Sequence, residues 1–156
     1  MAFFEIIIKK YIILSSALFS WIIVQFLKIL IEMMRKKDIR TKDFILRALF
    51  GTGGMPSSHS ATISAVALSI GLKEGFNSSI FAFAVVLVII VIRDATGVRF
   101  SAGKQAEALN KILAYHNKEF KIPYDRIKEV RGHTPLESFV GAVVGILVSL
   151  GMYLIG

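Results

Sequence analysis

The sequence predicts an all-α, polytopic membrane helical bundle of about four spans with a polar amphipathic helical connection, forming one integral membrane domain over residues 1–156. Three observations predict it. The chain is 54% hydrophobic, with a mean hydropathy of +0.65, too apolar for an ordinary soluble domain of this size. Its apolar residues fall into runs of about the length needed to cross a bilayer. Its net charge of +8 gathers between those runs, where cations meet anionic lipid headgroups.

The first run, Tyr11 to Met34, is interrupted near its end by Lys28 and stopped by Arg35-Lys36-Lys37. It has the length of a tilted span and no small-residue cleavage site, so it reads as an anchor and not a signal peptide. The second, Ser57 to Leu72, is shorter and rich in Ser and Thr. It reads either as a short span or as a helix shielded by its neighbours. Lys73-Glu74-Gly75 makes a turn, and Phe76 to Ile92 is the third run. From Phe100 to Arg131 the chain is polar, with Ala102, Ala106, Leu109 and Leu113 at the spacing of an amphipathic surface helix. A short helix is expected from Pro123, and Pro135 to Ile155 is the last span.

Four spans place both long connections, 35–56 and 93–134, at one membrane face. That face carries most of the Lys and Arg residues, so the positive-inside rule assigns it to the cytoplasm of a cell membrane protein. The absence of cysteine excludes disulfides and thiolate chemistry. A basic chain this apolar, with no aromatic-plus-basic module, gives no reason to expect nucleic acid. No metal site and no cofactor are indicated. Gly141 and Gly145 form a GxxxG face that suits either internal packing or a homodimer.

Three polar motifs share the basic face: Met55-Pro56-Ser57-Ser58-His59-Ser60, Arg93-Asp94-Ala95-Thr96-Gly97-Val98-Arg99 and Gly132-His133-Thr134-Pro135-Leu136-Glu137. In the last, Thr134, Pro135 and Glu137 fit the N-cap, N1 and N3 positions of a capping box. His133 precedes the cap, four residues from Glu137, a carboxylate able to orient one imidazole nitrogen and leave the other as nucleophile or base. Pro56-Ser57-Ser58-His59 reads as a second helix start, preceded by Gly51, Gly53 and Gly54. Two helix N-termini facing one point make an anion site, and a histidine in the first turn can protonate a leaving oxygen. Arg93 and Asp94 end the third run in a charged cluster. The planar fork of Arg99 suits an oxyanion, and Lys28 and Arg35 project to similar sides of the first helix. Capping, ion pairing and snorkelling explain several of these residues singly; together they point to a phosphate.

Those motifs, together with Gln105-Ala106-Glu107-Ala108-Leu109-Asn110, resemble the divergent PAP2 family, related to acid phosphatases and vanadium-dependent haloperoxidases, over nearly the whole chain. The resemblance implies a PAP2-like helical bundle and a role for each matching residue. The lipid phosphatases of the wider superfamily use K-x6-R-P, P-S-G-H and S-R-x5-H-x3-D. His59 stands as the acid for the leaving group, His133 as the nucleophile that forms a phosphohistidine, and Glu137 as the orienting carboxylate. Lys28 and Arg35 stand as phosphate ligands. The chain departs from that pattern: Lys36 replaces the proline, Ser58 the glycine and Glu137 the aspartate. No Ser-Arg pair precedes His133 at the required distance, where Asp125 and Arg126 stand one position out of register.

The expected function is therefore a metal-independent hydrolase, a phosphatase of a membrane lipid phosphate or diphosphate, phospholipid or polyprenyl. His133, His59 and Glu137 are its catalytic residues, and Lys28, Arg35, Arg99, Ser57, Ser58, Arg93 and Asp94 bind substrate. The alternative is a non-catalytic protein that binds or transports a lipid phosphate.

Overall fold

The computed structural model describes residues 10–35, 54–120, 125–129 and 132–155. Helix α1 spans Ile12–Arg35, α2 Ser58–Glu74 and α3 Ser79–Arg93. A π-helical turn, Asp94–Val98, joins α3 to α4, Arg99–Phe120, and α5 spans Pro135–Ile155. The described residues are helical with short connections, as the sequence predicts. The glycine loop before Gly54, Pro123 and Arg131 lie outside the described residues; residues 125–129, where the sequence leads one to expect a helix from Pro123, are described and are not helical.

The bundle is apolar outside and small or polar inside. Phe26, Phe83, Ile89, Phe139, Leu147 and Leu154 are exposed, whereas Ser16, Ser20, Ser60, Ala61, Ala65 and Ser149 are buried. Water would invert this arrangement. Lipid tails are as apolar as leucine, so close backbone approach and cross-helix hydrogen bonds hold the helices together. Among the described residues, three helices are long and apolar enough to cross a membrane, Ile12–Met34, Ser79–His116 and Pro135–Ile155. The 17-residue α2 takes the shielded position that the sequence offered as an alternative to a fourth long span, packed against α1, α3 and α5. The chain is a helical integral membrane protein.

Helices α2 and α5 run parallel at near contact. A Cβ on Gly141 would strike the Ser57 backbone, and one on Gly145 would strike the carbonyl of Ala61. Further along, Ser69 Oγ and Ser149 Oγ share a 2.8 Å hydrogen bond. Of the two uses open to the Gly141/Gly145 face, the fold shows internal packing, against α2.

The amphipathic segment is not a separate surface helix. It continues α3 through the π turn, making one helix from Ser79 to Phe120. No proline interrupts residues 93–100, and no side chain caps the junction. Thr96 Oγ1 donates to the Ile92 carbonyl at 2.8 Å, helping satisfy the widened turn.

Candidate functional site

The end of α1, the start of α2, the end of α3 and the start of α5 meet at one end of the bundle, and hydrogen bonds tie the three motifs together there. The Ser57 N–H donates to the Glu137 carbonyl at 3.0 Å, and the His133 N–H donates to the Ala95 carbonyl at 3.0 Å. Ala95 lies in the π turn, so the acceptor of the His133 N–H belongs to the widened turn. Gly132 lies directly over α4: a Cβ there would strike the backbone N and Cα of Phe100. The middle motif thus carries the backbone platform on which His133 rests.

The capping box forms as the sequence predicts. The Thr134 N–H donates to Glu137 Oε2 at 2.9 Å, and the Glu137 N–H to Thr134 Oγ1 at 3.3 Å. His133 Nδ1 lies 3.5 Å from the same Glu137 oxygen. That is an electrostatic contact at a distance beyond good hydrogen-bond geometry, and Nδ1 has no closer partner. His133 is only 5% exposed. Burial holds its pKa below the ordinary imidazole value, reinforced by the Lys28 charge and opposed by Glu137. The neutral imidazole, the form that can act as nucleophile or base, is favoured.

His59, in the first turn of α2, is exposed. Its ring centroid lies 6.3 Å from that of His133, with the planes inclined at 57°. Partial burial first, then the charges of Arg99 and Lys28, hold its pKa below the ordinary imidazole value, opposed by Asp94. Lys28 is 6% exposed, its Nζ 3.4 Å from Ser58 Oγ, and it feels the charge of Glu137. The layer therefore combines two imidazoles, a buried ammonium and a carboxylate around one end of the bundle.

The other expected ligands divide. Arg99 Nε pairs with Asp94 Oδ2 at 2.5 Å, bridging the π turn it follows. Ser57 is fully buried; its hydroxyl caps α2 by accepting from the Ser60 N–H at 3.3 Å and from Ser60 Oγ at 3.1 Å. Ser58 is the hydroxyl that meets Lys28. Arg93 is exposed. Arg35 closes α1, and its side chain lies outside the described residues. Arg126, the arginine nearest in sequence to the superfamily's motif-three position, is exposed and pairs with Glu129 at 3.1 Å.

Asn110 is a structural residue of the site that the motif reading left without a role. Its Nδ2 donates to the Ile127 carbonyl at 2.9 Å and its Oδ1 accepts from the Ile127 N–H at 2.9 Å. Nδ2 also reaches Glu129 Oε1 at 2.8 Å. The amide thereby pairs with a backbone unit 17 residues away and fastens the segment leading to His133 onto α4. The signal was an asparagine four residues after Ala106, on the buried face of an amphipathic helix. Among the described residues no group of three or more His, Asp or Glu side chains is arranged to hold a metal ion.

This is a polytopic helical membrane protein with a layer of imidazole, ammonium and carboxylate side chains at one end. The family model for the divergent PAP2 family matches residues 9–148, and the chain belongs to that family. It is 37% identical over 148 residues to the uncharacterized membrane protein YuiD of Bacillus subtilis (strain 168), covering 88% of this chain and 90% of the relative. No solved structure matches.

Proposed function

We propose that the protein is a phosphatase of a membrane lipid phosphate or diphosphate, acting at the cytoplasmic face of the cell membrane through a phosphohistidine. The observation that carries this reading is the His59–His133 pair, 6.3 Å apart, in the field of Lys28 and Arg99. Membership in a PAP2-related family supports it, and the cation excess of the connections at this face supports the orientation.

In the proposed reaction, Glu137 faces Nδ1 of His133 and keeps the proton there, leaving the Nε2 lone pair to attack phosphorus. The bond from phosphorus to the ester or anhydride oxygen breaks as His59 gives that oxygen its proton. Neutral His59 then takes a proton from water while the water oxygen attacks the phosphohistidine. The N–P bond breaks, inorganic phosphate leaves and both histidines are restored. Lys28 and Arg99 offset the charge on the phosphoryl oxygens. The lipid tail remains in the bilayer throughout.

One observation favours the alternative, a lipid-phosphate binding protein without turnover: Arg126, the described arginine nearest the superfamily's motif-three position, is exposed and pairs with Glu129. Purified protein tested for inorganic phosphate release against a panel of lipid phosphates and diphosphates separates the readings. Release by wild type that falls on the order of 10⁴-fold in His133→Ala supports the enzyme. Wild type equal to His133→Ala and His59→Ala on every substrate ends the catalytic reading. Retained binding that still depends on Lys28 then favours the alternative.

A further inference from the structure

The end of the bundle opposite the motifs holds a concavity with cations at its rim. It lies where α1 begins and α2 ends, with a volume of about 300 Å³. Ile13, Leu14 and Ala17 of α1 and Val66 of α2 form its apolar floor, and Lys10 and Lys73 lie at its rim. The Lys10 ammonium sits 5.5 Å from the ring centroid of Tyr11, which also lines the groove. Lys73 pairs with Glu74 at 3.7 Å, both side chains more than 40% exposed. Among the described residues, the mouth thus carries two cations against one carboxylate.

The spacing selects the ligand. Ala17 is seven residues beyond Lys10, and Val66 is seven residues before Lys73. At 1.5 Å per residue, the deepest floor residues, Ala17 and Val66, lie about 10 Å along the chain from the rim lysines. A free phosphate would meet the lysines and leave the floor empty; an apolar molecule would fill the floor and ignore the lysines. A molecule with an anionic head and a chain satisfies both. Lysines and a tyrosine at a helix end, above an apolar cleft, also match the order of headgroup, interface and hydrocarbon in a bilayer.

We propose that this groove binds an anionic phospholipid of the leaflet opposite the motif face, its phosphodiester between Lys10 and Lys73 and one chain lying between α1 and α2. The site is separate from the proposed phosphatase centre, and its occupancy holds the start of α1 to the end of α2.

The test uses the full chain in micelles supplied with phosphatidylglycerol or phosphatidylcholine, with retained lipid read by native mass spectrometry and unfolding followed by circular dichroism. Wild type should retain one phosphatidylglycerol in preference to phosphatidylcholine and unfold at a higher temperature with it. Lys10→Gln/Lys73→Gln should lose that preference by about tenfold or more, at roughly 1 kcal/mol per lysine near an anionic surface. Ala17→Leu, which fills the floor with both lysines present, should also lose it. Lys104→Gln/Lys111→Gln, two exposed cations of α4, should keep it. Equal retention of the two lipids by wild type, unchanged preference in Lys10→Gln/Lys73→Gln, or stabilisation by inorganic phosphate equal to that by the lipid would each overturn the proposal. Binding of phosphate at the motif face should persist in the lysine variant, showing that it is folded.

Discussion

The middle of the bundle and its motif end are built by different means. In the middle, helices meet through missing side chains: Gly145 over the Ala61 carbonyl, a serine pair, and alanines along α2. At the motif end, segments meet through donated protons: Ser57 to Glu137, His133 to Ala95, Ile127 to Asn110. The first kind of contact fixes distances between helices and tolerates no added volume. The second fixes the position of particular atoms. The difference teaches that stability and site geometry are separable here, and substitutions in the two regions should fail in different ways.

The largest expected effect tests the middle. Gly145→Leu forces α2 and α5 apart against backbone that cannot yield, and should cost about 3 kcal/mol or more by thermal unfolding in micelles. Gly151→Leu is the comparison, since nothing lies within 4 Å of a Cβ there, and it should unfold as wild type. If both variants behave alike, close helix approach is not what holds the middle together.

At the motif end, Gly132→Ala drives His133 away from α4. Displacing a reacting group by about 1 Å costs on the order of 100-fold in rate, so phosphate release should fall by that factor while the unfolding temperature changes far less than for Gly145→Leu. Asn110→Ala removes two hydrogen bonds to the Ile127 backbone and should destabilise residues 125–129 locally by about 1–3 kcal/mol. Hydrogen exchange should show the loss at Ile127 and leave the amides of α2 protected. Loss of protection throughout the bundle would join the two regions into one cooperative unit.

A smaller effect is electrostatic. His133 is held below the ordinary imidazole value by burial first and by Lys28 second. It therefore stays neutral as the pH falls, and the acid limb of activity should lie below about pH 6.5. Removing the cation in Lys28→Met should move the His133 titration, followed by NMR, upward towards that value. No upward movement would mean that burial alone sets it. The smallest effect is expected from Asp94→Asn. The Asp94–Arg99 pair is exposed, so its loss should change stability by less than about 1 kcal/mol. A larger loss would make the pair part of the platform under His133.

The helices were legible because their causes are local. Apolar runs gave α1, α3 and α5 to within a few residues, and Thr134-x-x-Glu137 gave the start of α5. The meeting of the motifs was legible from counting spans. The continuation of α3 into α4 was not: Arg93-Asp94 looks like a helix stop, and its charges conceal a backbone that simply widens by one residue. The platform under His133 was hidden for a related reason, because its acceptor is the carbonyl of Ala95, and a carbonyl leaves no mark in a sequence. Gly132 gave a hint, a glycine that capping did not require. Arg99 was expected from its side-chain chemistry as an anion ligand; in the structure it pairs with Asp94, a competitor for any anion it binds.

The unbroken helix from Ser79 to Phe120 makes the protein a lever. Its α3 arm packs against α2, and its α4 arm of 22 residues extends about 33 Å from the π turn. The fulcrum is the turn itself, whose Ala95 carbonyl carries His133. A sideways load on α4 is therefore delivered to the hydrogen bond between the His133 N–H and the Ala95 carbonyl.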